Sequence, residues 1–366
     1  MSARPVRAWT LPLLLVPATT LFMLEVPFYR GWFDLYVYRG AVGAWILHGT
    51  SLYGYRLPGT GYGFTYPPFA ALCLAPLALV PRWAAVTAMF LANTAASFLV
   101  LRLLLGRLSL RHLAVAACLF VMLEPVRDTF SFGQVNLLLL ALVLLDERLG
   151  RWCGVLVGVA AAVKLTPLLF VGRLLAGGRH RAAALAATTA AATSALAWLL
   201  APRASHRYWT RELWDTHRIG DLSYVSNQSL RGVVARLGDP GGGTPLWLAL
   251  AAVTLALWLR GVRRSDDATG LALTSAAACL LSPVTWVHHL VWLLPALALL
   301  VRRGHRIAAG AVYVVLCSSL VWLWRFDSSG VPAFLGANAY AWLAVWLLVT
   351  LPPPGRIPYG APGRLD

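Results

Sequence analysis

The sequence predicts an all-helical protein that crosses a membrane many times and has no separate soluble domain. Hydrophobic residues make up 59% of the 366 positions, and charged residues only 12%. Soluble domains are typically about 45–50% apolar and about 25% charged. Leu, Ala and Val stand in unbroken runs, which favours membrane helices over the alternating pattern of a β-barrel. Because about 20 helical residues cross a bilayer, we expect about 12 transmembrane helices, in a range of about 10 to 13.

The basic residues indicate how these helices are oriented, because cytoplasmic loops of membrane proteins are rich in Lys and Arg. Placing the basic clusters inside gives a multi-pass plasma-membrane protein with a cytoplasmic N-terminus. The first apolar run, Trp9–Phe28, is then a retained helix, and residues 1–366 form a single membrane-embedded domain. Residues 29–65 become the first extracytoplasmic loop and residues 202–244 a long one. The clusters assigned to the cytoplasm are Arg4 with Arg7, Arg102–Arg111, Arg148 with Arg151, Arg173–Arg181, Arg260–Arg264, Arg302–Arg306 and Arg356 with Arg364.

Two apolar segments are interrupted. Pro67–Val80 is short and contains three prolines, so we predict a re-entrant segment there. Trp152–Ala176 is broken by Lys164-Leu165-Thr166-Pro167, which predicts a tight helical pair with Lys164 near its turn.

Composition and motifs exclude several functions. The net charge of +17 is spread over short clusters between apolar runs, which does not indicate a nucleic-acid partner. The five cysteines lie singly within apolar runs and predict neither disulfides nor a metal site. The sequence contains no phosphate-binding P-loop, no zinc-protease motif and no Asp-x-Asp pair. We therefore expect neither a metal nor a cofactor.

Polar residues next to aromatic runs are the first candidates for a site. Asp34 lies among aromatic residues, where partial burial favours a general base; a helix N-cap or surface acid is the alternative. Tyr66 belongs to an aromatic, Pro-rich stretch that predicts an interface anchor or a wall for a lipid chain or sugar. Gln134 and Asn136 open a hydrophobic helix, where amides either bond between helices or bind ligand hydroxyls.

Basic and imidazole side chains are the second group. Lys164 is costly in an apolar segment and predicts a proton relay, an ion pair or an anion site. Arg231, next to Asn227-Gln228-Ser229, binds a phosphate or is a solvated loop residue. His288 and His289 follow Trp286 and point about 100° apart on a helix, so they do not both bind one metal ion well. Either one of them contacts an anionic or hydroxylic ligand, or the Trp and His side chains anchor the chain at the membrane interface.

Seven short motifs occur in order over about residues 30–300. They are Asp34–Tyr38, Leu52-Tyr53, Phe64–Pro68, Gly133–Asn136, Lys164–Pro167, Asn227–Ser229 and Ser282–His289. Each motif is weak alone, but together they resemble glycosyltransferase family 87.

The resemblance implies a GT-C fold and a mannosyl transfer from polyprenyl-phosphate-mannose, with inversion, on the outer face of the plasma membrane. It implies a glycolipid or lipoglycan acceptor, of the phosphatidylinositol mannoside or lipomannan type. The general base of the family falls on Asp34, and its histidine on His288 or His289, of which we favour His289. We expect the donor phosphate or sugar to contact Lys164, Arg231, His288, His289, Gln134, Asn136 and Asn227, and a lipid or sugar wall of Tyr38, Tyr66 and Trp286.

Two other functions compete with this one. A related transferase that uses another polyprenyl-phosphate sugar, such as arabinose, has the same sequence features. A transporter of lipid-linked sugars requires inverted repeats and polar groups near the midplane of the membrane. The sequence shows no repeat, and its polar groups favour one face.

Overall fold

A computed structural model describes residues 4–25, 29–215, 217–238, 243–327 and 329–351. These residues form helices joined by short connections, and no β-strand occurs among them. The first half of the chain contains α1 Arg4–Glu25, α2 Phe33–His48, α3 Pro68–Ala78, α4 Arg82–Leu105, α5 Leu110–Met122, α6 Glu124–Phe132, α7 Asn136–Asp146, α8 Val155–Val163 and α9 Leu168–Ala176.

The second half is equally helical. It contains α10 His180–Leu200, α11 Pro202–Arg207, α12 Leu230–Ala235, α13 Gly243–Val262, α14 Asp267–Leu281, α15 Leu294–Arg302, α16 Arg306–Cys317, α17 Val331–Ala337 and α18 Ala339–Thr350. Short 3₁₀ or π turns lie at Gly150–Trp152, Tyr208–Glu212, His217–Ile219, Val287–Leu293 and Leu320–Trp324.

Three of the described helices, α4, α10 and α13, are long and apolar enough to cross a membrane. Two bent pairs, α6 with α7 and α17 with α18, raise this number to five if each pair is one span. Several of these helices expose large apolar side chains, such as Leu199 and Leu91, as expected of surfaces that face lipid. The structure is therefore that of an all-helical membrane protein, while the number of about 12 crossings stays a prediction.

Prolines and a polar residue interrupt the apolar segments where the sequence predicts. Helix α3 begins at Pro68 and extends for only 11 residues. Helix α8 ends at Val163, the backbone of the next residue, Lys164, is extended, and α9 begins after Pro167. Because proline lacks an N–H and disfavours helix in the residue before it, the chain turns here and Lys164 lies in the break.

The core lies around α14, which is buried along most of its length and packs against α13, α15 and α18. Its other large members come from widely separated segments: Trp292, Tyr53, Tyr340, Phe64 and Phe170 are almost fully buried. Residues 29–65 contain α2, and the described part of residues 202–244 contains α11 and α12. The placement of these two segments outside the membrane stays a prediction.

Helix α8 approaches α10 closely through two glycines. A Cβ added at Gly158 would collide with the carbonyl oxygen of Ala186 and lie 2.7 Å from Cβ of Thr189. Gly154, with a φ of +108°, likewise leaves no room between its Cα and Ala182. Small residues of this kind let membrane helices pack backbone to backbone.

We expect Gly158→Val to lower the thermal unfolding temperature of the detergent-solubilised protein, because overpacking costs about 1–3 kcal/mol. The matched control is Gly310→Val on α16, where an added Cβ meets nothing within 4 Å. Unfolding of Gly158→Val at the wild-type temperature would contradict the close packing of α8 and α10.

Candidate active site

A cavity of about 1030 Å³ opens between these helices. Its walls come from α2, the segment before α3, the α6–α7 bend, the break after α8, the long loop after α11 and the chain around residues 282–289. The cavity therefore gathers most of the polar segments that the sequence singled out. The predicted site residues that line it are Asp34, Tyr38, Tyr66, Gln134, Lys164, Trp286, His288 and His289.

The bend between α6 and α7 brings Gln134 to Asp34. Gly133 ends α6 in the left-handed conformation, with a φ of +69°, and the two helices meet at 115°. A Cβ at Gly133 would lie only 2.7 Å from Cβ of Leu35 on α2. Glycine therefore satisfies both the turn and the close contact between the bend and α2.

Asp34 lies in the first turn of α2, after an N-cap residue, Trp32, that makes no side-chain capping bond. Gln134 Nε2 donates to Asp34 Oδ2 over 2.7 Å. Burial raises the pKa of Asp34 to about 6, against the opposing effects of the Gln134 hydrogen bond and the positive charge of Lys164. A carboxylate with this pKa is ionised at neutral pH and can accept a proton.

Two tyrosines and the amide form a buried chain behind the carboxylate. Tyr66 donates its hydroxyl proton to Gln134 Oε1 over 2.9 Å. The hydroxyl oxygen of Tyr38 lies 2.8 Å from that of Tyr66. Tyr66 therefore contacts the site through its hydroxyl and is more than a plain wall for an apolar chain.

Lys164 lies at the other end of this chain. Its Nζ is 2.8 Å from Asn136 Oδ1, 2.9 Å from His289 Nε2 and 3.4 Å from the Tyr66 hydroxyl. Burial lowers the pKa of Lys164 to about 7, and the nearby Asp34 only partly opposes this. The site therefore holds a carboxylate and a lysine that both titrate near neutral pH.

The two adjacent histidines differ in their partners. His289 is bonded at both ring nitrogens, because Nδ1 accepts from the Trp286 backbone N–H over 3.1 Å and Nε2 contacts Lys164. His288 is 97% buried, and its Nε2 has no hydrogen-bond partner among the described residues. The His288 ring packs on Phe132, with centroids 5.2 Å apart. A buried imidazole nitrogen without a partner on a cavity wall is available to a ligand.

Arg30 is a wall residue that sequence reasoning missed. Its Nε lies 3.3 Å from Asp128 Oδ1, and its guanidinium lies 4.9 Å from the ring centroid of Trp322. No described residue bonds its two terminal nitrogens. The sequence offered one hint, the position of Arg30 four residues before Asp34. Its partner Asp128 lies 98 positions away, so the ion pair could not be predicted from the sequence.

The long loop is fixed to the cavity by a buried acid that sequence reasoning also missed. Glu212 binds Arg207 at 2.6 Å and Arg218 at 3.0 Å. Arg218 in turn donates to the carbonyl oxygens of Phe64 and Thr65 at 2.7 and 3.3 Å. Because its N–H groups are used in these bonds, Arg218 holds the loop against the segment before α3.

Three predicted residues do not line the cavity. Asn136 is fully buried and contacts the cavity indirectly, through its bonds to Lys164, Gln134 and the carbonyl oxygen of His288. Asn227 accepts from the Thr285 N–H over 2.9 Å and so joins two loops. Arg231 lies over the ring of Trp247, at 4.6 Å, away from the cavity walls. The structure therefore brings neither Asn227 nor Arg231 to the polar cluster.

Within the described ranges, no three His, Cys, Asp or Glu side chains come together in a way that holds a metal ion. The absence of a cofactor stays a prediction.

The cavity thus combines a carboxylate, a lysine and an unpartnered imidazole nitrogen within an all-helical fold whose longest described helices are apolar enough to cross a membrane. The sequence model of glycosyltransferase family 87 matches residues 64–283. The chain belongs to this family and is a glycosyltransferase.

Curated relatives cover most of the chain. A Mycolicibacterium smegmatis protein, 35% identical over 92% of this chain and 88% of its own length, is named polyprenol-phosphate-mannose-dependent alpha-(1-2)-phosphatidylinositol pentamannoside mannosyltransferase. A Mycobacterium tuberculosis protein of the same name is 34% identical over 97% of this chain and 88% of its own length. An alpha-(1->3)-arabinofuranosyltransferase from Corynebacterium glutamicum is 28% identical over 53% of this chain and 48% of its own length. No solved structure matches significantly.

We expect Glu212→Gln to destabilise the long loop, because it breaks the buried ion pair with Arg218 and removes the largest favourable charge acting on that guanidinium, at a cost of about 3–5 kcal/mol. Thermal unfolding and limited proteolysis within residues 202–244 measure this effect. Asp327→Asn, at an exposed carboxylate, is the control. If Glu212→Gln is cleaved within residues 202–244 at the same rate as the wild type, this ion pair does not hold the loop.

Proposed function

We propose that the protein transfers a mannosyl residue from polyprenyl-phosphate-mannose to a glycolipid of the phosphatidylinositol mannoside or lipomannan type. The observation that carries this proposal is the polar cluster of the cavity. It joins Asp34, which can accept a proton, to Lys164 and His288, which can hold a phosphate. The names of the relatives that cover most of the chain support the sugar, the lipid carrier and the acceptor class.

Asp34 is the proposed general base. The reaction forms a bond between an acceptor oxygen and the anomeric carbon of mannose, breaks the bond from that carbon to the phosphate oxygen, and releases the hydroxyl proton. A carboxylate with a pKa of about 6 accepts this proton at neutral pH. In an inverting transfer the base acts on the face of the sugar opposite the phosphate. Gln134 orients the carboxylate for this task through its bond to Oδ2.

The leaving phosphate gains negative charge during the transfer and needs positive or hydrogen-bonding groups in place beforehand. His288 offers an unpartnered ring nitrogen, and the Lys164 amine and the Arg30 guanidinium line the same cavity. Arg30 was not among the expected residues, but its terminal nitrogens are open to a ligand, whereas Arg231 points elsewhere. We therefore assign the phosphate to His288, Lys164 and Arg30.

The remaining walls fit the two ends of a lipid-linked sugar. Leu165, Leu168 and Leu169 give one side of the cavity an apolar surface suited to the polyprenyl chain. Tyr224 packs edge-on against Trp286 and Trp322, with centroids 6.3 and 6.0 Å apart. Such aromatic faces pack against sugar rings while their polar edges stay hydrated.

The proposal includes the architecture and its place in the cell. We infer a GT-C fold in the plasma membrane, with the N-terminus in the cytoplasm and the cavity on the outer face. The excess of basic residues in the loops assigned to the cytoplasm supports this orientation. Residues 29–65 and 202–244 are then the extracytoplasmic loops that build the cavity.

A transfer of arabinose is the second candidate, and it is favoured only by the shorter match to the Corynebacterium glutamicum protein. Membranes that contain the protein can be offered radiolabelled polyprenyl-phosphate-mannose or polyprenyl-phosphate-arabinose, and the lipid products separated. We expect labelled product from the mannose donor. Labelled product from arabinose alone would reverse the assignment.

We expect Asp34→Asn to reduce mannosyl transfer by about 100-fold or more, because the amide cannot accept the hydroxyl proton. Expression level and donor binding should stay near those of the wild type. Asp327→Asn serves as the control at an exposed carboxylate. Transfer by Asp34→Asn at the wild-type rate would remove Asp34 from the role of base.

We expect kcat/KM to fall as the pH drops below about 6, because Asp34 becomes protonated. The hydrogen bond from Gln134 stabilises the carboxylate, so Gln134→Leu should move this acid limb to higher pH. Thr94→Val, at an exposed hydroxyl on α4, should leave the limb in place. An identical acid limb in Gln134→Leu and the wild type would show that Gln134 does not act through Asp34.

A further inference from the structure

The hydrogen bonds of His289 indicate which of its ring nitrogens carries a proton. The backbone N–H of Trp286 donates to Nδ1 over 3.1 Å. The carbonyl oxygen of Val284 also lies near the ring and favours a ring N–H, but the Trp286 contact has full hydrogen-bond geometry, so we assign the lone pair to Nδ1. A neutral imidazole has one N–H and one acceptor nitrogen, so the hydrogen of His289 lies on Nε2.

That N–H faces the amine of Lys164, whose Nζ lies 2.9 Å from Nε2. An ammonium group has three N–H donors and no lone pair, so it cannot accept this bond. A neutral amine has two N–H groups and one lone pair. The two N–H groups match Asn136 Oδ1 at 2.8 Å and the Tyr66 hydroxyl at 3.4 Å, and the lone pair matches His289. The geometry thus accounts for every donor and acceptor of a neutral amine.

Some of the groups around Lys164 lower its pKa and others raise it. Burial is the largest influence on the pKa of Lys164 and lowers it, whereas Asp34 on α2 and Cys279 on α14 raise it. His288 is 97% buried beside it. The charged partner nearest in the hydrogen-bond chain, Asp34, is separated from Nζ by the neutral side chains of Tyr66 and Gln134.

We propose that His289 is a positioning residue that holds Lys164 as a neutral amine before the donor binds, and that the donor phosphate draws a proton onto this amine. The lone pair of Nζ forms a new N–H bond with a proton from solvent. The N–H of His289 Nε2 is then released and can donate to a phosphate oxygen. The identity of the phosphate rests on the proposed function, but the neutral amine does not.

The chain offers a direct test, because Lys164 is its single lysine. Biosynthetic labelling with ¹³Cε-lysine gives one lysine signal in the full-length protein in detergent, and its chemical shift reports the charge of the amine. We expect the wild-type signal to titrate near pH 7, compared with about 10.4 for an exposed lysine. An ammonium signal that persists to pH 9 without donor would overturn the proposal.

A second comparison isolates His289. In His289→Gln and His289→Asn, a side-chain carbonyl oxygen can accept from an ammonium, so the midpoint should rise by about one pH unit or more. His305→Gln, at an exposed histidine, should leave the midpoint unchanged. A merely structural role for His289 predicts weaker folding without this shift, so unchanged midpoints in both folded variants would reject the positioning role.

The donor itself supplies the last measurement. A short-chain citronellyl-phosphoryl-mannose has a phosphodiester that carries one charge throughout this pH range, and without acceptor it is not consumed. We expect its addition at pH 8 to return the wild-type signal to the ammonium position. A neutral signal with donor bound would overturn the proton uptake. Failure of the wild type to bind this donor counts against the proposed function, while the ligand-free titration still decides the charge of Lys164.

Discussion

The hydrogen bond from Gln134 to Asp34 is the contact on which the candidate site depends. It joins two parts of the chain 100 positions apart, and the backbone supports it directly, because the Trp32 N–H donates to the Ser131 carbonyl over 2.8 Å. The left-handed turn at Gly133 makes the approach possible. Without this hydrogen bond, the Asp34 carboxylate would have no fixed orientation in the cavity. A general base contributes little unless its oxygen is held in place.

The same chain of bonds keeps the Asp34 carboxylate and the Lys164 amine apart. Tyr66 and Gln134 stand between Asp34 and Lys164, and both are neutral. A direct ion pair would lower the pKa of the carboxylate, raise that of the amine and occupy the atoms that the substrates need. Separation by neutral groups leaves the Asp34 carboxylate to accept a proton and the Lys164 amine to meet a phosphate. A buried polar network of this kind stabilises one arrangement because each member satisfies its neighbours.

The sequence predicted the parts of the structure that depend on local chemistry. Apolar runs predicted the all-helical membrane protein, and Thr-Pro after Lys164 predicted the break that brings the amine into the cavity. The sequence could not show that Arg30 rather than Arg231 lines the cavity, because both are single arginines near polar motifs. In the fold, Arg231 lies over the ring of Trp247, whereas Arg30 lies on the cavity wall. Asn227 similarly looked like a ligand residue, yet its amide joins two loops in the folded chain.

The two histidines show most clearly what the fold adds. As neighbours they are equivalent in a sequence pattern, and the resemblance to the family allows either. On the 3₁₀ turn Val287–Leu293, successive side chains point about 120° apart, so only one can face Lys164 while packing on the Trp286 backbone. His289 takes that position and uses both ring nitrogens, which leaves His288 with a free nitrogen on the cavity wall. The two histidines therefore have different proposed roles: His289 sets the charge of Lys164, and His288 is left to bind the donor phosphate.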